Sequence, residues 1–156
     1  MTIHFLRHAK TNQISATGRD FDRELLPRGY EQLKEFHLFA GLKLLSIEHI
    51  YCSAAMRTRQ TLKEIIELFP KANFSFHEDL YLASWTDLLH FITEKNTTQT
   101  ILLIGHNEGL SDLVSYLSNT DIHLKTSGYT QLSFPFEHSG YISAGTGSIV
   151  ETFRVF

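Results

Sequence analysis

The run TILLIGHN at residues 100–107 constrains the fold more than any other stretch of the chain. An unbroken apolar run closed by glycine leaves no face for water. It predicts a central strand buried on both sides, the pattern of a parallel sheet covered by helices. The flanking segments agree. Residues 2–6 form a second β-rich run, "IEHIYCS" a third and "FSF" a short fourth, with helical periodicity in the gaps between them. A helix is expected over residues 27–42, opening on Pro27 and placing Tyr30, Leu33, Phe36, His37 and Ala40 on one face. "AMRTRQTLKEIIELF" carries Leu62, Ile65, Ile66 and Phe69 on one side, "SWTDLLHFITEK" opens on Ser84 as an N-cap, and "GLSDLVSYLS" forms a last helix. Beyond it, "YTQLSFPF" and "GSIVETFRVF" alternate as edge strands do and are suited to pair antiparallel. The expectation is an α/β protein with helices on both faces of a mostly parallel, mixed sheet.

No linker, repeat or low-complexity block divides the 156 residues, so one domain over 1–156 is expected. A formal net charge of −3 with no Lys/Arg run argues against a nucleic-acid partner. No apolar segment approaches the roughly 18 residues that span a bilayer, so no membrane partner is expected. Arg7, His8 and Lys10 interrupt the N-terminal apolar run before a signal sequence could form. The single Cys52 fits a reducing compartment, and the cytoplasm is the expected location.

Three of the strand candidates end on polar residues of one chemical kind. Arg7-His8 follow "IHFL", Ser53 and Arg57 follow "HIYC", and His106-Asn107 follow "TILLIG". In a parallel sheet these ends share one edge, where ligands bind in open α/β folds. Arg7, His8, Arg57 and His106 would then meet in one crevice with no obvious carboxylate to balance them. Paired guanidiniums match phosphate oxygens, and a neutral imidazole is a competent nucleophile toward phosphorus. A second imidazole, if protonated, would stabilise charge growing on the equatorial oxygens. Taken singly, each residue has a plainer reading as a cap, a turn or a solvated helix face. The conjunction at three strand ends sets them apart.

The ordered set "LRHAK", "DFDRELLPRG", "SAAMRTRQT", "EDLYLAS", "LIGHNEGLSDL" and "TSGYTQLSF" resembles the histidine phosphatase (phosphoglycerate mutase-like) superfamily, and within it the short SixA-type phosphohistidine phosphatases. The resemblance covers almost the whole chain. It implies a three-layer α/β/α sandwich and chemistry without metal or cofactor. It matches His8 to the phospho-accepting nucleophile, Arg7 and Arg57 to the phosphate-pocket guanidiniums, and His106 to the distal phosphate-binding histidine. Glu78, three residues before Tyr81, is the candidate general acid, with Asp79 as alternate. Arg59 falls where the family places no arginine. Ala9 stands where many members carry Gly, and Glu24 and Leu26 stand where relatives tend to carry Pro and a small capping residue.

The substrate expected from this reading is phosphohistidine on a signalling or phosphotransfer protein. A small phosphomonoester is the alternative, and a non-catalytic phosphoprotein-binding module is a third reading. No long insertion is available to form a lid, which favours a phosphorylated side chain presented by a protein. Asp20, Asp22 and Arg23 are expected near the rim, as loop-locking ion pairs first and substrate contacts second. The oligomeric state is not set by these features.

Overall fold

The computed structural model describes residues 1–155 and contains a six-stranded sheet. The strands are β1 (Thr2–Arg7), β2 (His49–Ser53), β3 (Asn73–His77), β4 (Ile101–Gly105), β5 (Tyr129–Ser133) and β6 (Ser148–Phe153), in spatial order β3-β2-β4-β1-β5-β6. The first four strands in this order run parallel, and β5 pairs antiparallel with both β1 and β6. The sheet is therefore mixed, with the antiparallel strand between β1 and the β6 edge.

Four helices cover it: α1 (Pro27–Ala40), α2 (Met56–Ile65), α3 (Trp85–Lys95) and α4 (Gly109–Ser118). Strand alternation assigns the faces. Ile3, Phe5, Ile101 and Leu103 pack with Leu88, Ile92, Leu113 and Val114 of α3 and α4. Leu6, Ile50, Leu102 and Ile104 pack with Leu33, Phe36, Leu62 and Ile65 of α1 and α2. The expected three layers are present. β4 is buried at every position, as its continuous apolar run requires.

Some details differ from the sequence reading. Helix α1 ends at Ala40, because Gly41 takes a positive φ of 49° and leaves Leu42 79% exposed. His37 is exposed, and Gln32 takes the buried place on that helical face. Helix α2 passes into a short 3-10 turn at Ile66–Leu68. Ser84 caps α3 as expected, its hydroxyl accepting from the Asp87 amide at 3.2 Å.

The β2-β4-β1 arrangement positions the site. Its register sets Arg7 beside Gly105 and Cys52 beside Ile104, so the three strands end level with one another. The chain crosses over β4 between β1 and β2, which opens a crevice at these ends. Because β5 runs the other way, its leading segment arrives at the same edge: the Arg7 amide donates to the Gly128 carbonyl at 3.0 Å.

Candidate active site

A cavity of about 590 Å³ opens at this edge, lined among others by Arg7, His8, Asp20, Arg57, His106 and Asn107. The backbone of His8 is pinned from both sides. Its amide donates to the Gly105 carbonyl at 3.2 Å, and its carbonyl accepts from Ser127 at 3.0 Å. The next amide, of Ala9, donates to Thr61 Oγ1 at 3.1 Å, tying the segment to α2. Ala9 itself is fully buried in the α1–α2 core, which accepts its methyl group.

The His8 ring has one tautomer available. Nδ1 lies 2.7 Å from the Ala9 carbonyl, which can only accept, so Nδ1 carries the proton and Nε2 keeps its lone pair. Burial holds this imidazole well below its ordinary pKa, partly opposed by the Ala9 bond and reinforced by His106, Arg57 and Arg7. The ring is neutral around physiological pH.

His106 lies with its ring centroid 5.4 Å from that of His8. Its Nε2 is 2.7 Å from Ser53 Oγ. The Ser53 oxygen also accepts from the Ala55 amide at 3.4 Å and has no other acceptor among the described residues, so its proton goes to Nε2. His106 is thereby an Nδ1–H tautomer. Burial, then Arg57, lowers its pKa to about 3. The sequence left the protonation of this second imidazole open; burial first, then Arg57, makes the ring a neutral N–H donor.

The arginines are held by the backbone. Arg57, 1% exposed in the first turn of α2, donates to the Asp20 carbonyl at 2.8 Å and to its carboxylate at 3.0 Å. Arg7 donates to the Leu124 carbonyl at 3.0 Å, and Asn107 donates to the same carbonyl at 2.8 Å. Three buried nitrogens at this edge have no hydrogen-bond partner among the described residues: Arg7 Nε, Arg57 Nε and His106 Nδ1. Native proteins seldom bury unpaired donors, and three of them at one edge are suited to an anion's oxygens.

The acids are placed differently from one another. Glu78 and Asp79 are exposed in a 3-10 turn (Glu78–Leu80) and do not line the cavity. Asp20 does line it. Burial pushes its carboxyl up, but hydrogen bonds from Tyr81 and Arg57, with help from Arg23, outweigh this and hold it at about 2. Asp20 and Arg23 also lock the loop as expected, with Arg23 Nε on the Asp20 carboxylate at 2.8 Å and its Nη1 on the Asn12 carbonyl at 2.8 Å. Arg59 lies apart, stacked 4.0 Å over Phe76 and bonded to the Ala54 carbonyl.

Two supporting residues escaped the sequence reading. Gln32 accepts from the Lys10 amide and donates to Thr126, each at 2.9 Å, bridging the His8 segment to the loop before β5. Its signal was a polar residue within the apolar stripe of α1. Tyr81 donates to the Asp20 carboxylate and sets its ring edge-on to His106.

Residues 3–87 match the family model of the histidine phosphatase superfamily (branch 1). The chain belongs to this superfamily. An uncharacterized chloroplastic protein of Arabidopsis thaliana is 33% identical over 133 residues, covering 78% of this chain, which spans only 61% of that relative. Among solved structures, a protein named as a SixA phosphohistidine phosphatase from Agrobacterium tumefaciens superposes with a TM-score of 0.84 at 22% identity, covering 99% of this chain and 97% of its own. The SixA protein histidine phosphatase complexed with tungstate gives 0.79 at 18% identity, with coverage of 97% and 96%. Phosphoserine phosphatase from Entamoeba histolytica gives 0.66 at 16% identity, with coverage of 97% and 95%. These likenesses establish the phosphoglycerate mutase-like α/β fold.

Proposed function

We propose that this histidine phosphatase removes the phosphoryl group from phosphohistidine on a protein, through a covalent phospho-His8 intermediate. The observation that carries the reading is the pairing of an Nε2 lone pair on His8 with three buried, unpartnered donors around the same cavity. Arg7, Arg57 and His106 would hold the phosphoryl oxygens. His8 Nε2 would attack phosphorus in line as the bond to the leaving nitrogen breaks. Water then attacks the phosphorus of phospho-His8, releasing phosphate and returning the imidazole.

The position of the acids favours a P–N substrate. An alkoxide needs a proton to depart, whereas a leaving imidazole can take one from solvent. Glu78 stands outside the cavity and Asp20, the one carboxylate lining it among the described residues, is held ionised, so neither is poised to protonate a leaving oxygen. The higher TM-scores of the SixA-named structures, 0.79 and 0.84 against 0.66 for the phosphoserine phosphatase, support the same choice.

The test compares phosphate release from a phosphohistidine-bearing phosphotransfer domain and from an aryl phosphate, using wild type, His8→Ala and Glu78→Gln. Release from the domain that is lost in His8→Ala and kept in Glu78→Gln is expected. A preference for the aryl ester together with a large loss in Glu78→Gln would overturn the reading in favour of a small-ester phosphatase with Glu78 as acid. Absence of release from both would favour a phosphoprotein-binding module.

A further inference from the structure

Two hollows adjoin the cavity. One, of about 210 Å³, lies beside Ile14 and Arg19 and shares Gln13, Asp20 and Arg23 with it. The other, of about 440 Å³, lies between Arg28, Lys125 and Arg154 and shares Thr126. Together they form a trough running through the phosphoryl site.

Its charge is one-sided. Among the described residues, eight of the fourteen Lys and Arg line the trough, against one, Asp20, of the seventeen Asp and Glu. Asp20 is already shared between Arg57 and Arg23. Arg28 faces Glu31 and Glu35, and Arg19 meets Asp22 at only 3.9 Å with its side chain 70% exposed. Lys10 and Lys125 are exposed, with no carboxylate within 4.0 Å among the described residues. This positive strip sits on a chain whose formal net charge is −3, so it is a local feature and not a consequence of overall basicity.

We infer that the trough is a docking surface for the acidic face of a folded phosphoprotein, gripped on both sides of the phosphorylated side chain. The inference rests on the phosphohistidine reading and specifies how the carrier is recognised. Complementary potentials of this kind steer association and select partners. A small ester would fill only the central cavity and gain nothing from Arg19 or Lys125. Single-stranded nucleic acid fits less well, because it binds by stacking bases on aromatic side chains, and among the described residues no Phe, Tyr or Trp lines the three hollows.

The experiment measures kcat and KM for a phosphohistidine-bearing phosphotransfer domain with an acidic surface, and for an aryl phosphate, in wild type and in Arg19→Glu/Lys125→Glu. Both positions lie outside the central cavity. The charge reversals should raise KM for the domain roughly tenfold, an estimate for two rim charges, with kcat and the aryl phosphate kinetics unchanged. Arg19→Ala/Lys125→Ala should give a smaller rise in the same direction. Raising salt should increase the wild-type KM for the domain and do so less in the reversed variant. Unchanged KM in a variant series where wild type dephosphorylates the domain would overturn the docking surface and leave the function reading standing. Failure of wild type on the domain, with the aryl ester hydrolysed, would overturn both. Tighter anisotropy-measured binding of a 5′-phosphorylated oligonucleotide than of the domain would also overturn the inference, in favour of a nucleic-acid partner.

Discussion

Replacing Ser53 by Ala tests whether the tautomer of His106 matters to phosphoryl binding. The Ser53 hydroxyl is fully buried, and its bond to His106 Nε2 is 2.7 Å long. Without it, Nε2 is left buried and unpaired in the Nδ1–H form. That cost of about 1–3 kcal/mol is no smaller in the Nε2–H form, which finds no acceptor on the alanine methyl, so the variant loses the preference for Nδ1–H and the Nε2–H form, which has no donor at Nδ1, competes with it. Loss of the bond alone corresponds to roughly tenfold in kcat/KM, since about 1.4 kcal/mol is a factor of ten. Complete loss of the Nδ1 donor sets the upper bound, the roughly hundredfold that follows removal of an oxyanion contact. The assay is kcat/KM in a double-mutant cycle with His106→Ala, alongside ¹⁵N chemical shifts of the His106 ring. Ser53→Ala should lower kcat/KM about tenfold and by no more than about a hundredfold, move the ring shifts away from a pure Nδ1–H pattern, and cost little further on the His106→Ala background. Equal losses in both backgrounds would refute the positioning role and make Ser53 a packing residue.

Two further outcomes follow from local geometry and burial. A Cβ at Gly29 would lie 2.3 Å from the Lys10 carbonyl oxygen, so Gly29→Ala must displace α1 from the segment that carries His8; thermal denaturation should show a loss of about 1–3 kcal/mol together with reduced activity. Burial lowers the His4 pKa from 6.5 to about 4, so its contribution to stability is complete above pH 6.5 and is lost as pH falls through 4. Denaturant titrations should show a loss of about 3 kcal/mol from this group at pH 4, and His4→Gln should flatten the profile in that window.

The fold was legible because its strands are extreme. A continuous run such as ILLI at 101–104 has one low-energy setting, between two helical layers, and the alternation of Ile3, Phe5 and Leu6 then assigns the faces. The cationic cluster was legible for the same reason, since register in a parallel sheet brings strand ends level whatever their separation in sequence. What could not be read were contacts that depend on loop paths. Asp20 reaches Arg57 only because residues 11–26 fold back across the crevice, held by the Thr11–Leu25 bridge and by Arg23. The remoteness of Glu78 from the cavity has the same origin. Its spacing to Tyr81 is right, but the 3-10 turn at Glu78–Leu80 leaves Glu78 exposed while Tyr81 reaches Asp20. Gln32 was hidden by periodicity itself, because helical spacing identifies a buried face and cannot tell which polar member of it meets a backbone amide.

The unpartnered donors make the site a measurable weak point of the fold. Among the described residues Arg57 is the largest fully buried side chain, and its Nε, with Arg7 Nε and His106 Nδ1, has no hydrogen-bond partner. Each buried unsatisfied group costs about 1–3 kcal/mol, so the folded chain is less stable than its packing alone would make it. On the proposed reading a tetrahedral oxyanion would supply acceptors to all three at once, and it would bind the folded state only. Tungstate or inorganic phosphate at about a hundred times its dissociation constant should therefore stabilise the protein by about 2.7 kcal/mol, a rise in Tm of roughly 5–10 °C for a chain of this size. His106→Ala removes one donor together with its burial cost, so the variant should show a smaller shift with the oxyanion and no loss of Tm beyond that of its packing. An unshifted Tm at saturating tungstate and phosphate would mean that the donors do not converge on one anion. The phosphoryl site, and with it the role assigned to His8, would then be refuted on thermodynamic grounds before any substrate is tried.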